Sequence, residues 1–175
     1  MNNNEKNLAA AQGKTYDLAL DEIRQQLSAV SKESGDFVIT LVAGPAEGRY
    51  MALLEGGLEW KDASQQDDTQ HIQIIVQDKD DHRFVPNLEI VIQVFDKDKR
   101  LVAEGNQPFL WHPYLYHYGK NYFIPEDGTY AVRVIIKSPH FPRHDRKLGN
   151  RYQQDVSVDF DSVRMIPGIK EENSS

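Results

Sequence analysis

His71-Ile72-Gln73-Ile74-Ile75-Val76-Gln77 alternates strictly, with Ile72, Ile74 and Val76 on one face of an extended chain and His71, Gln73 and Ile75 on the other. The same period returns at Leu88, Ile90, Ile92 and Val94, ahead of a charged turn, Asp96-Lys97-Asp98-Lys99. Tyr130, Val132, Val134 and Ile136 make a third apolar face, entered through Glu126-Asp127-Gly128, and Val156, Val158 and Phe160 a fourth. Short strands separated by turn signals, with no helical pattern between them, predict an all-β chain folded as an immunoglobulin-like sandwich.

Toward the N-terminus, Phe37 to Val42 is a β-rich run ending at Gly44-Pro45, and Tyr50 to Leu54 is a second. Residues 56–70 are polar, carry Gly56-Gly57, and read as a loop. Leu20, Ile23, Leu27 and Val30 recur at helical spacing, so residues 15–31 are expected to form one short amphipathic helix. The expected organisation is a disordered tether over 1–14, the helix, one sandwich domain over 36–168 and a disordered tail over 169–175.

The chain has 175 residues, enough for one well-buried core. Its formal charge of -7 argues against nucleic acid, whose phosphates require a basic surface, and is compatible with a cationic partner such as a metal ion. With no cysteine, disulfides and thiolate metal sites are excluded, and a bound metal would use His, Met, carboxylate or carbonyl donors. No apolar run approaches the roughly 20 residues that span a bilayer. The opening Met1-Asn2-Asn3-Asn4-Glu5-Lys6 has no apolar signal core, as would also be true of a mature form with its leader removed.

Among six histidines, His71 shares its strand face with Gln73. His112 and His117 lie in an aromatic stretch, Phe109 to Asn121, read as a loop. His140 and His144 lie in Ser138-Pro139-His140-Phe141-Pro142-Arg143-His144-Asp145, just after a strand. His82, in Asp80-Asp81-His82-Arg83, reads as a solvated turn residue. Imidazoles from two loops and a strand start can meet at one end of a sandwich, and they suit Zn, Cu, Fe and Ni alike.

The segment from His71 to Gly168 resembles the periplasmic iron-transport protein family, the Ig-like proteins and lipoproteins that accompany a high-affinity iron permease. The landmarks are His71-Ile72-Gln73, Val85-Pro86-Asn87-Leu88, His117-Tyr118-Gly119-Lys120-Asn121 and Asp127-Gly128-Thr129-Tyr130. Arg143-His144-Asp145 and Gly149-Asn150-Arg151-Tyr152 complete the series, and Trp111-His112-Pro113 marks a variant branch. The resemblance implies a Greek-key sandwich, often dimeric, that binds copper and iron in the periplasm or at the cell surface. It implies metal ligands at His71, His117 and His144. The family's acidic residue two places after the first His is Gln73 here, and its Met falls near Leu110. His112 is the candidate replacement for that Met, with Met51 a remoter one and Asp145 a candidate for orienting a ligand ring.

The expected function is therefore a metal-binding accessory protein of an iron-uptake or related system, holding copper, iron or zinc for a membrane permease. The competing expectation is a metal-free module that binds a protein or glycan through its aromatic stretch. An enzyme is not expected, because neither Glu104 nor Asp145 is placed as a base beside an open metal position.

Overall fold

The structure, a computed structural model, describes residues 2–170. One helix, α1 (Asn3–Gln26), precedes β1 (Ala29–Ser34), β2 (Phe37–Pro45), β3 (Arg49–Ala52), β4 (Leu58–Lys61) and β5 (Gln70–Asp78). There follow β6 (Ile90–Phe95), β7 (Leu101–Asn106), β8 (Phe109–Leu110), β9 (His117–Tyr122), β10 (Gly128–Ile136) and β11 (Val156–Met165). A five-stranded sheet in the order β1-β2-β5-β9-β8 packs on a four-stranded sheet in the order β11-β10-β6-β7, and β3 and β4 form a separate ribbon. The pairs within these sheets are antiparallel. This is the expected β-sandwich.

Alternation drives the core. Ile72, Ile74 and Val76 of β5 meet Ile90, Ile92 and Val94 of β6 and Val132, Val134 and Ile136 of β10 between the sheets. Burial of a Val, Leu or Ile side chain contributes about 1.5–3 kcal/mol, so this layer is the principal source of stability. The opposite face of β5 is buried too, because α1 lies across it: Leu20 and Ile23 close over Val42, Ile75 and Leu115 in a second, smaller apolar cluster.

The helix differs from its expected limits at both ends. It begins at Asn3 instead of following a disordered tether, because Asn2 and Glu5 form a reciprocal cap: the Glu5 amide donates to Asn2 Oδ1 at 2.9 Å and the Asn2 amide to Glu5 Oε2 at 2.6 Å. It ends at Gln26, and Val30, expected on the helical face, belongs to β1, where the Gly35-Asp36 turn (Gly35 φ +58°) folds it back onto β2. Gly13 would weaken a helix interior by about 0.5–1 kcal/mol relative to Ala. It is required here by close approach, since a Cβ at this position would come within 1.7 Å of the Asp81 carbonyl oxygen. Beside that contact His82, expected to be merely solvated, has φ +59° and places Nδ1 2.9 Å from Asp17 Oδ2 of the helix.

Two stretches expected as loops contain strands. Within 56–70, Leu58 and Trp60 pair with Ala52 and Tyr50 across a turn made by Gly56 and Gly57, both at positive φ. The aromatic stretch becomes a strand from His117 onward, because Tyr118 and Tyr122 alternate into the core. Of the expected tail, Ile169 bridges to Ala46 in parallel fashion, and residues 171–175 lie outside the described chain.

Candidate metal centre

The register of β5 and β9 sets His71 opposite Asn121 and Gln73 opposite Gly119. With a period of two, His71, Gln73, His117, Gly119 and Asn121 all project from the outer face of the five-stranded sheet, just beyond the cluster that α1 covers. His71 and His117 are buried, and their ring centres lie 6.0 Å apart, edge to face. His112, on the loop between β8 and β9, stands 6.0 Å from His117 and rests edge-on against Tyr114 at 4.5 Å.

Hydrogen bonds fix which nitrogen of each buried ring carries the proton. The amide of Asn121 is oriented by its Nδ2, which donates to the Glu47 carbonyl at 2.8 Å. Its Oδ1 therefore accepts from His71 Nδ1, also at 2.8 Å. His117 Nδ1 donates to the Leu115 carbonyl at 3.2 Å. Both rings are thus held with a lone pair on Nε2, the arrangement a metal-binding imidazole requires. His117 Nε2 is buried without a hydrogen-bond partner, as are His112 Nδ1 and Gln73 Oε1. Buried polar atoms are ordinarily satisfied; these three are among nine such atoms in the described residues, and their grouping leaves nitrogen and oxygen donors free for a ligand.

Electrostatics keep the rings neutral. Burial lowers the His117 pKa from 6.5 to about 4, against the pull of the Leu115 carbonyl and with help from the neighbouring His71 and His112. Burial lowers His71 as well, outweighing Glu47 and Asn121, with Arg49 and Lys170 adding to the effect. His112 moves the same way for the same first reason. At neutral pH these imidazoles would ligate without first losing a proton.

Gly119 lies directly under His71: a Cβ there would be 3.0 Å from His71 Nε2 and 3.1 Å from Leu110 Cδ1. Leu110, where the family's thioether was expected, does stand at the site, paired with His117, but it offers only methyl groups. Gln73 offers a neutral carbonyl oxygen. Two imidazoles sharing one ion at about 2.0–2.1 Å per nitrogen have ring centres roughly 5–6 Å apart, which the His71–His117 spacing fits. No three His, Cys, Asp or Glu side chains close around one point among the described residues. The rings form two 6.0 Å steps, His71 to His117 to His112, and not a cage.

His144 is elsewhere. It is exposed on the loop after β10, in a cleft with Asp78, Arg143 and Arg151, at the other end of β5 from His71. Seven extended residues separate the two ends, roughly 23 Å. Asp145 accepts from the Lys147 and Leu148 amides at 2.8 and 2.7 Å. Met51 is exposed on the ribbon beside Arg49 Nε, and His140 is exposed. Two residues at the site had no role assigned from sequence. Asn121 could have been found from its period-two relation to His117, whereas Glu47, just past β2, carries no sequence signal.

No curated protein sequence matches the chain. Among solved structures, copper-reconstituted P19 of Campylobacter jejuni superposes with a TM-score of 0.63 at 18% identity, over 81% of this chain and 96% of its own. FetP of uropathogenic Escherichia coli gives 0.58 at 21%, over 78% and 95%. A copper-bound variant of FetP gives 0.57 at 21%, again over 78% and 95%. At these identities the likeness bears on the fold. The sequence model of the Fe2+ transport protein family matches residues 61–163, more than half of the molecule, and the chain belongs to that family.

Proposed function

We propose that the protein is a non-enzymatic carrier that takes a transition-metal ion at the His71–His117 pair, with His112 closing onto it, and passes it toward a membrane iron permease. What supports this most is the pair of buried imidazoles whose Nδ1 atoms are tied down, leaving Nε2 as donor, one of them orphaned. Copper in P19 and FetP supports copper as one cargo. Without thioether or carboxylate at Leu110 and Gln73, the imidazoles favour Cu(II), Zn or Ni over Cu(I). His144, whose loop stands at the far end of β5, can join this site only from a second copy of the chain. A periplasmic or surface location follows from the same family role.

The test is a thermal melt of the chelator-stripped protein with Cu(II), Zn(II), Ni(II) or Fe(II), the last under anaerobic conditions. An ion at a hundred times its dissociation constant stabilises by about 2.7 kcal/mol. His117→Ala should abolish the shift and leave the fold intact; if His144 of a second copy contributes, light scattering should show a dimer with the ion, and His144→Ala should weaken both binding and association. No shift with any ion would favour the alternative, a recognition module. Its support is the exposed aromatic rim, with Trp111 70% accessible and Tyr114, Tyr116 and Phe123 also outside.

A further inference from the structure

Glu47 and His71 hang on one side chain. Asn121 Oδ1 accepts from His71 Nδ1 at 2.8 Å and, more weakly, from the Glu47 amide at 3.4 Å, while Asn121 Nδ2 donates to the Glu47 carbonyl at 2.8 Å. The main chain of Glu47 is thereby pinned to the residue that orients His71. Its carboxylate is bonded through Oε1 to Lys170 Nζ at 2.9 Å. Lys170 is itself held there, its amide donating to the Ala46 carbonyl at 2.9 Å while the Ala46 amide donates to Gly168 at 2.9 Å. A carboxylate and an ammonium therefore form a positioned pair on the residue whose main chain is tied through Asn121 to His71. The rings respond to both: Glu47 favours the protonated form of His71, His112 and His117, and Lys170 opposes it at His71 and His112. Burial raises the Glu47 pKa, but His71, Lys170 and His117 together outweigh it and keep the carboxyl below its ordinary range.

Imidazoles alone bring no charge to balance a dication in a half-buried place, and the neutral Gln73 brings none. We propose that Glu47 is the charged donor of the histidine site and that the Lys170 ammonium occupies it as a place-holder, which an arriving divalent ion displaces. This rests on the metal-binding reading above. Two positive charges on a small ion attract the carboxylate more strongly than the single charge of an exposed ammonium, so the exchange runs toward the ion. The Lys170 side chain leaves while its main chain stays paired with Ala46, and the Glu47 carboxylate turns toward the histidines, with which it forms no three-residue cluster before the ion arrives.

Calorimetric titration of the full chain with Cu(II) and with Zn(II) tests this in four variants. Glu47→Gln should weaken binding about ten- to a hundred-fold, as loss of a supporting carboxylate does at metal sites. Lys170→Met should tighten it about two- to five-fold, the strength of an exposed ion pair. Once Glu47 is Gln, adding Lys170→Met should have a smaller effect, because only the direct repulsion between the ammonium and an ion at His71 and His112 is then removed. Lys32→Met, removing the same charge on β1, should leave the affinity unaltered. Ion-free melts establish that each variant folds. Unchanged affinity in Glu47→Gln, or weaker binding in Lys170→Met, overturns the proposal while leaving the histidine site standing. A wild-type chain that binds neither ion removes the metal reading itself.

Discussion

The two ends of β5 are both polar and both buried, yet they are finished differently. At its C-terminal end Asp78 is 3% exposed and fully engaged: Oδ1 accepts from the Asp80 and Asp81 amides at 2.8 and 3.2 Å, and Oδ2 takes Arg151 at 2.9 Å and the Tyr152 hydroxyl. At its N-terminal end His71 and His117 have their Nδ1 atoms engaged while nearby polar atoms, His117 Nε2 and Gln73 Oε1, are left over. A buried polar group with every valence satisfied holds a fold together. One that is oriented on one side and idle on the other keeps a free valence that a ligand can use.

Breaking the satisfied end should give the largest effect. Asp78→Ala frees two amides and the Tyr152 hydroxyl and leaves Arg151 only its pair with the exposed Asp80, and an expected loss of about 3 kcal/mol should appear in urea unfolding, with ion-induced melting shifts retained. Loss of ion binding with stability unchanged would invert the comparison.

Acid should act at the other end. His117 has its pKa lowered from 6.5 to about 4 in the fold, so between those values the unfolded chain holds a proton that the folded chain does not. Its contribution is then complete above pH 6.5 and is lost as pH falls toward 4, on the order of 3 kcal/mol in all. Unfolding measured from pH 7 down to pH 5, above most carboxylate titration, should reveal the slope, and His117→Phe should flatten it.

A finer test separates orientation from ligation. Asn121→Leu removes the acceptor that fixes the His71 tautomer, and Cu(II) affinity should fall about ten- to a hundred-fold with the ring still present. Nitrogen-15 NMR of the imidazoles should show His71 Nδ1 no longer uniquely protonated. An unchanged spectrum would mean that packing alone orients the ring.

What could be read from sequence divides along the same line. The apolar faces of β5, β6, β10 and β11 were legible because alternation is a local signal, and the docked face of α1 because Leu20 and Ile23 are local too. The helix start was hidden in an asparagine-rich opening whose Asn2–Glu5 cap is a side-chain event, and β9 was hidden because aromatic density resembles a loop. At the site, His71 and His117 were reached through family motifs. Glu47 and Asn121 meet across 74 residues and Asn121 and His71 across 50, and nothing in one strand's pattern announces a partner that remote. The same limit applies to His144, whose motif is clear while its position, at the opposite end of β5, is a product of topology.

The bare backbone contact at Gly13 gives the molecule a latent seam. Helix and sandwich meet there, glycine Cα toward the Asp81 carbonyl, with no side chain between them. A single added carbon would act as a wedge driven at the helix midpoint, lifting the first half of α1 while its Leu20–Ile23 end stayed seated. The long N-terminal helix is in that sense a hinged cover, fastened at one end by grease and at the other only by fit.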